Sequence, residues 1–188
     1  MNKKLIIIEG CDNTGKDILI SQLKTNFKNP VVLHAGIPPK NVSLFKYYYN
    51  GLIHDTLEAY YNKNVDCIIH NRSMYGEYVY GPKYRNENKL DVLKIISNLE
   101  IGQLKTFILS SKLYFILLSS TSADLLVNND DGKSLSAKKE DIQYEINAFN
   151  EVFEKSNIEN KLKIFVNNNN KFADKYNIYK QTCDFINL

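Results

Sequence analysis

The chain has 188 residues, of which 44% are hydrophobic, so it is long enough for one well-buried domain and short for two. Its net charge of +3 is small, and lysine and glutamate are interspersed, which argues against a large nucleic-acid footprint and leaves a local one open. No apolar run approaches the ~18 residues of a membrane-spanning helix, and the three cysteines are odd in number and far apart. We therefore expect residues 1–188 to form a single cytoplasmic domain without disulfides or a membrane span.

The first predicted element is a buried strand at residues 5–8, because four consecutive apolar residues suit a strand that is covered on both faces. A helix is predicted after Lys16. Between them, Gly10, Gly15 and Lys16 have the spacing of a phosphate-binding loop, in which backbone N–H groups and a helix N-terminus hold an anion and the lysine reaches the β- and γ-phosphates. The residues predicted to contact the phosphates of ATP are Gly10, Asp12, Asn13, Thr14, Gly15, Lys16 and Asp17.

The last position of this loop departs from the usual pattern. A serine or threonine normally supplies a hydroxyl group to Mg²⁺ there, and this chain has Asp17. A carboxylate can ligate Mg²⁺, so Asp17 is the predicted metal ligand. The same carboxylate also repels a triphosphate beside it, and the residues alone leave both effects open.

The remaining elements alternate along the chain. Apolar runs predict four more strands, at residues 31–34, 65–70, 112–118 and 162–166. Helical spacing predicts helices at residues 41–62, 89–109, 137–156 and 172–185, with a turn at 167–170. Tyrosines 47–49 in the first of these helices either pack against the sheet or stack on a base. The alternation predicts an α/β fold with a five-stranded parallel sheet covered by helices on both faces, and the polar segment around 124–137 has the composition of a flap.

The third predicted strand leads directly into Asn71 and Arg72. In an open α/β sheet the ligand crevice lies at the carboxyl ends of the strands, so Arg72 is expected in the same crevice as Lys16. Arginine is the natural bidentate partner of a phosphate, and the only two arginines of the chain, Arg72 and Arg85, both lie in this region.

These landmarks resemble the thymidylate kinase family of P-loop nucleoside monophosphate kinases, and its phage-encoded members in particular. The family's loop, Glu-Gly-x-Asp-x-x-Gly-Lys-Ser/Thr, is matched at every fixed position except the last, by Glu9, Gly10, Asp12, Gly15 and Lys16. Its second motif, Asp-Arg-aromatic-x-x-Ser-x-x-Ala-Tyr-Gln, is matched at Arg72 and Tyr80. The family's aspartate is replaced by Asn71 and its base-facing glutamine by Gly81.

The resemblance implies a P-loop NTPase fold, with ATP as phosphoryl donor, Mg²⁺ as cofactor and a deoxynucleoside monophosphate as acceptor. It implies catalytic roles for Lys16, Arg72 and, in the flap, Lys133. The residues implied to bind the acceptor are Glu9, Asn71, Arg72, Tyr80 and Arg85. Relatives carry arginines in the flap, whereas this chain has only Lys133 near Asn128 and Asn129. Phosphoryl transfer relies on cations around the developing negative charge, so we expect slow or specialised activity.

Three functions remain open at this point. The first is a kinase that phosphorylates a pyrimidine deoxynucleotide. The second is a variant of this kinase that phosphorylates a hydroxymethylated base within DNA. The third is a domain without catalysis that binds a nucleotide or a protein partner through its tyrosine-rich surface. The altered loop has two interpretations. In the first, compensation, Asp17 supplies the carboxylate missing at Asn71. In the second, the metal site has decayed, and the missing flap arginines favour decay. A homodimer is also left open. If the chain is encoded by a phage, the expected location is the cytoplasm of the host cell.

Overall fold

The computed structural model describes residues 3–105, 112–130, 132, 134, 136, 138–169 and 171–188. Its main sheet contains five parallel strands in the order β2-β3-β1-β4-β5. The strands are β1 Lys4–Glu9, β2 Pro30–His34, β3 Cys67–Asn71, β4 Leu113–Ser119 and β5 Lys161–Phe165. The predicted α/β fold with a five-stranded parallel sheet is confirmed.

The central strand β1 explains why both faces of the sheet are covered. Leu5 and Ile7 pack into a core on one face, and Ile6 and Ile8 pack into a second core on the other. Successive side chains of a strand point to opposite faces, so an unbroken apolar run needs a cover on both sides.

Helices supply that cover. One face carries the helices Leu44–Tyr48, His54–Tyr61, Tyr75–Tyr84, Lys89–Gly102, Ala123–Asn128 and Lys139–Lys155. The other face carries Lys16–Lys24 and Lys175–Ile186. None of the described helices is long and apolar enough to cross a membrane.

Several boundaries differ from the predicted ones. The helix predicted at 41–62 begins at Leu44, where the Ser43 side chain accepts a hydrogen bond from the Lys46 N–H at 3.3 Å, and it is interrupted by a π-helical segment, Tyr49–Ile53. The predicted flap begins as the helix Ala123–Asn128. The first half of the turn predicted at 167–170 is a short strand, Asn167–Asn168, which pairs antiparallel with Lys171–Phe172, and residue 170 lies outside the described part. The helix predicted to reach residue 109 ends at Gly102, and residues 106–111 lie outside the described part.

Candidate functional site

The loop after β1 has the backbone conformation of a tight turn. Gly10 and Gly15 have φ angles of 146° and 82°, and Asn13 between them has a φ of 64°. Glycine adopts positive φ without steric cost, and asparagine tolerates it better than most residues. The loop ends at the first turn of the helix Lys16–Lys24, whose N–H groups have no partners within the helix and favour a bound anion.

Lys16 is held inside this loop. Its Nζ atom donates hydrogen bonds to the carbonyl oxygens of Gly10 and Cys11 at 2.8 and 2.6 Å, and the residue is only 6% exposed. Burial lowers the pKa of Lys16 from its ordinary value, and the positive charge of Arg72 lowers it further. The negative charges of Asp12 and Glu9 oppose this shift. A bound anion such as a phosphate would favour the charged ammonium group further.

Arg72 approaches the loop from the end of β3. Its guanidinium forms an ion pair with the Asp12 carboxylate, and its backbone has a φ of 65°. This left-handed conformation costs on the order of 1 to 2 kcal/mol for a residue with a Cβ atom. Such strain persists only where surrounding contacts fix it, and it concentrates at functional sites.

Glu9 supplies one of those fixing contacts. Its Oε1 atom accepts hydrogen bonds from the backbone N–H and the hydroxyl group of Ser73 at 2.6 and 2.8 Å, directly after Arg72. Burial raises the pKa of Glu9 to about 7, although the Ser73 hydrogen bonds and the charges of Lys16 and Arg72 oppose the shift. Glu9 therefore fixes the turn that presents Arg72.

A second buried group titrates in the opposite sense to Glu9. Burial lowers the pKa of His70 to about 3, and its Nε2 atom lies 2.8 Å from the Thr56 hydroxyl group. Because its folded pKa lies below its ordinary value of 6.5, His70 stabilises the fold above pH 6.5 and loses this contribution as the pH falls towards 3. Glu9 is the reverse: its folded pKa lies above 4.5, so its contribution is present below pH 4.5 and is lost as the pH rises through 7.

We expect these two contributions to offset each other between pH 4.5 and 6.5. In Glu9→Gln, the His70 effect should remain, and the free energy of unfolding should fall more steeply on acidification than in the wild type, by on the order of 1 kcal/mol per pH unit. In His70→Gln, it should instead rise relative to the wild type on acidification. Urea unfolding of the three proteins at several pH values measures these slopes, and parallel pH profiles would contradict the assignment.

Two clefts meet beside the loop. The first, the loop cleft, has a volume of about 540 Å³ and is lined mainly by Asp12, Asn13, Gly15, Lys16, Asp17 and Asn71. The second, the aromatic cleft, has a volume of about 430 Å³ and is lined mainly by Glu9, Tyr48, Glu77, Tyr80, Arg85 and Phe149. Asp12, His34 and Arg72 line both. The two clefts therefore share one wall, on which the charged pair lies.

The structure brings most of the predicted site residues to these clefts. Asp12, Asn13, Gly15, Lys16 and Asp17 line the loop cleft, and Glu9, Arg72, Tyr80 and Arg85 line the aromatic cleft. Of the other four predicted residues, Gly10, Thr14 and Asn71 are placed differently, and Lys133 lies outside the described part.

Asn71 was predicted on the acceptor side, but it lines the loop cleft, where its Nδ2 atom donates a hydrogen bond to Asp17 Oδ1 at 2.7 Å. Neither Thr14 nor Gly10 lines the loop cleft. The Thr14 hydroxyl group donates a hydrogen bond to the Cys11 carbonyl oxygen at 2.8 Å, and Gly10 borders the aromatic cleft. Lys133 lies outside the described residues.

The polar cleft residues that sequence reasoning missed include His34, Ser73, Glu77 and Ser134. His34 ends β2, and the rule that ligands bind at the carboxyl ends of parallel strands could have found it. Glu77 lies between Arg72 and Arg85 in the sequence, but its hydrogen bonds with Arg85 and Tyr48 depend on tertiary contacts. Ser134 accepts a hydrogen bond from Asn13 at 3.1 Å, which connects the flap to the loop.

No protein-family model matches the chain, and no curated protein sequence matches it. Solved structures do resemble it. The YorR protein of Bacillus subtilis, determined in complex with phosphorylated GDP, has a TM-score of 0.66 and 18% identity over 98% of this chain and 96% of its own. Thymidylate kinase from Candida albicans has a TM-score of 0.61 and 14% identity over 99% of this chain and 92% of its own.

Polyphosphate kinase 2 from Arthrobacter aurescens TC1 has a TM-score of 0.62 and 13% identity, and the match covers 100% of this chain and 69% of that one. Identities this low establish the fold alone. The chain is therefore an α/β protein with the fold of the P-loop nucleotide kinases.

Proposed function

We propose that this chain is an ATP-dependent (deoxy)nucleoside monophosphate kinase that transfers the γ-phosphoryl group of ATP to a pyrimidine deoxynucleotide. One observation carries the proposal: the loop cleft and the aromatic cleft meet at a wall formed by Asp12 and Arg72. A phosphoryl group passes directly between two ligands only if their reacting oxygens lie within contact distance of the same atom. The shared wall, with an arginine on it, supports direct transfer between a ligand in each cleft.

Each residue then has a defined role. Lys16 and the loop N–H groups hold the ATP phosphates, and Arg72 binds the acceptor phosphate once it leaves Asp12. Tyr80 packs against the acceptor, with its ring 5.9 Å from that of Phe149. Phosphoryl transfer needs little covalent chemistry from the protein, because the reaction is accelerated mainly by positioning and by cations around the transferred group.

The residues of the loop cleft fit a magnesium ion. Mg²⁺ is usually held by one or two carboxylates together with substrate phosphates and water, and Asp17 supplies one carboxylate in this cleft. The amide of Asn71 orients that carboxylate. When bound, Mg²⁺ supplies positive charge to the phosphate oxygens. Among the described residues, the one group of three clustered potential metal ligands is the exposed set His54, Asp55 and Glu58 on another helix.

The Asp17 to Asn71 hydrogen bond leads to a prediction about this ion. The contact favours compensation over decay, because the remaining carboxylate lies against the residue that lacks one. We expect Asp17→Ser to reduce the extra stabilisation that Mg²⁺ adds to ATP binding, and Asp17→Ser with Asn71→Asp to restore it. The coupling between the two substitutions should be about 0.5 to 3 kcal/mol.

Thermal melting with ATP and either Mg²⁺ or EDTA measures this coupling without requiring turnover. Asn71→Asp alone places a second carboxylate beside Asp17 and should also weaken ATP binding. Decay predicts the opposite for the first variant: Asp17→Ser alone would strengthen binding of Mg-ATP, because a like charge beside the triphosphate is removed.

The proposed function is tested by an ADP-release assay across all deoxynucleoside monophosphates, with and without Mg²⁺. We expect ADP release that depends on both an acceptor and Mg²⁺ and that is slow on thymidine monophosphate. ADP release at the same rate without any acceptor would indicate an ATPase. A single-stranded DNA substrate with a hydroxymethylated base, added as a separate arm, tests the DNA-directed variant.

A binding domain without catalysis is the second candidate. Two observations favour it: Lys16 and Arg72 are already bonded within the protein, and the rings of Phe45 and Tyr49 stack at 5.7 Å on a partly exposed surface. This candidate predicts no ADP release with any acceptor, together with a melting temperature that ATP raises or leaves unchanged.

A further inference from the structure

An ion pair forms part of the wall of the aromatic cleft. Both Nε and Nη2 of Arg85 donate to Oε1 of Glu77, at 3.0 and 2.7 Å. Tyr48 donates its hydroxyl hydrogen to the other carboxylate oxygen of Glu77 at 3.1 Å. Glu77 is 2% exposed, so it lies behind Arg85, with both oxygens occupied.

Gly81 makes room for this ion pair. A Cβ atom at position 81 would lie 2.5 Å from Oε1 of Glu77, which is shorter than any ordinary contact. A side chain at position 81 would therefore push the carboxylate out of the position in which it holds Arg85. The absent side chain and the ion pair form one arrangement, in which the polar group offered to the cleft is a guanidinium.

Arg85 has hydrogen-bonding capacity left for a ligand. Its guanidinium has five N–H groups, of which two donate to Glu77, and the other three have no hydrogen-bond partner in the described part of the chain. The side chain is 19% exposed and lines the aromatic cleft. Arginine donates hydrogen bonds and accepts none, and it does not lose its proton in proteins.

The two arginines lie at different places along the aromatic cleft. Arg72 also lines the loop cleft, so its end of the aromatic cleft is where an acceptor phosphate meets the donor. Arg85 does not line the loop cleft; it lies beside Tyr48 and Glu77 and also borders a surface groove with Pro82 and Asn86. A nucleotide whose phosphate lies at Arg72 has Arg85 among the residues of the aromatic cleft that remain to contact its base.

We propose that Arg85, held by Glu77, selects acceptors whose base carries a keto oxygen on the edge far from the sugar. This selection revises the proposed pyrimidine acceptor: thymine and uracil remain, cytosine is excluded and guanine is admitted. The inference rests on the proposed function, because that function places a nucleotide in the aromatic cleft. Guanine O6, or O4 of thymine and uracil, accepts hydrogen bonds from the guanidinium, and arginine pairs with guanine O6 and N7 in a bidentate manner. Adenine and cytosine carry an amino group at that position, so two donors face each other and both remain unsatisfied.

The experiment compares the two arginines. Affinities of dGMP, dTMP, dAMP and dCMP are measured by calorimetry for the wild type, Arg85→Gln and Arg72→Gln. The wild type should bind dGMP and dTMP about tenfold or more tightly than dAMP and dCMP. Arg85→Gln should bring the four affinities close together, because glutamine both donates and accepts. Arg72→Gln should weaken all four by a similar factor and preserve the ratio between keto and amino bases.

A further variant is a control for the case in which Arg85→Gln fails to fold. Arg85→Gln leaves the Glu77 carboxylate buried without its cation, so the double variant Glu77→Gln with Arg85→Gln, which keeps a neutral hydrogen-bonding pair, is measured beside it. Equal binding of the four nucleotides by the wild type, or an unchanged ratio in the double variant, overturns the selection by Arg85 and leaves the proposed kinase intact. Absence of binding by every nucleotide overturns the proposed function itself.

Discussion

Gly10→Ala is expected to destabilise the fold by about 3 kcal/mol or more. A Cβ atom at this position would lie 2.3 Å from the carbonyl oxygen of Leu118 in β4, and Gly10 has a φ of 146°. The clash is with backbone of a buried central strand, so neither partner can move aside without disturbing the sheet. Urea unfolding at constant pH measures the loss, which should lower the transition midpoint strongly.

Two other glycines serve as matched controls. Gly15 has a φ of 82° but open space around its Cβ position, so Gly15→Ala tests backbone strain without a clash and should cost about 1 to 2 kcal/mol. Gly51 has neither a positive φ nor a close neighbour, so Gly51→Ala should be neutral or stabilising by up to about 1 kcal/mol. Equal losses for the first two variants would show that the approach to Leu118 has no energetic importance.

Lys16→Ala is expected to abolish the stabilisation of the protein by ATP. A ligand at 100 times its dissociation constant adds about 2.7 kcal/mol to the free energy of unfolding. For a chain of this length, that corresponds to a rise in melting temperature on the order of 5 to 10 °C. Without the ammonium group, the buried part of the loop has no cation to balance the phosphates, and turnover should fall by about 100-fold or more.

Lys24→Ala is the matched control. Lys24 lies in the last turn of the helix that Lys16 begins, and it is exposed. Its removal changes the net charge equally but leaves the loop untouched, so the ATP-induced shift should persist. A wild-type melting temperature that millimolar ATP and Mg²⁺ leave unchanged would remove the donor site from the proposal, whatever the variants do.

The strands were predictable because burial on two faces leaves a strong mark in the sequence. All seven residues of β4 are buried, and an apolar run of that length between polar segments has few other interpretations. The helix Tyr75–Tyr84 was not predicted. It contains two glycines and Pro82, all unfavourable in a helix, and it forms because its aromatic residues pack into the core. Tertiary packing overrides local propensity there, as it does at the π-helical segment Tyr49–Ile53.

The site was predictable as far as spacing and strand order determine position. The loop follows from Gly10, Gly15 and Lys16, and the placement of Arg72 follows from the end of β3. The contacts of Asn71 with Asp17 and of Glu77 with Arg85 were not predictable, because each depends on side-chain orientations that no spacing along the chain specifies. The hydrogen bonds between Glu9 and Ser73 were not predictable for the same reason.

The strand order has a consequence for how the chain folds. β1 is made first during synthesis, yet its neighbours in the sheet are β3 and β4, which come much later in the chain. Until β4 is available, the apolar side chains of residues 5–8 lack the pairing that buries them, and a large loop-closure entropy must be offset before the central pairings form. We therefore expect slow folding in which the exposed first strand is the segment most prone to association with other chains.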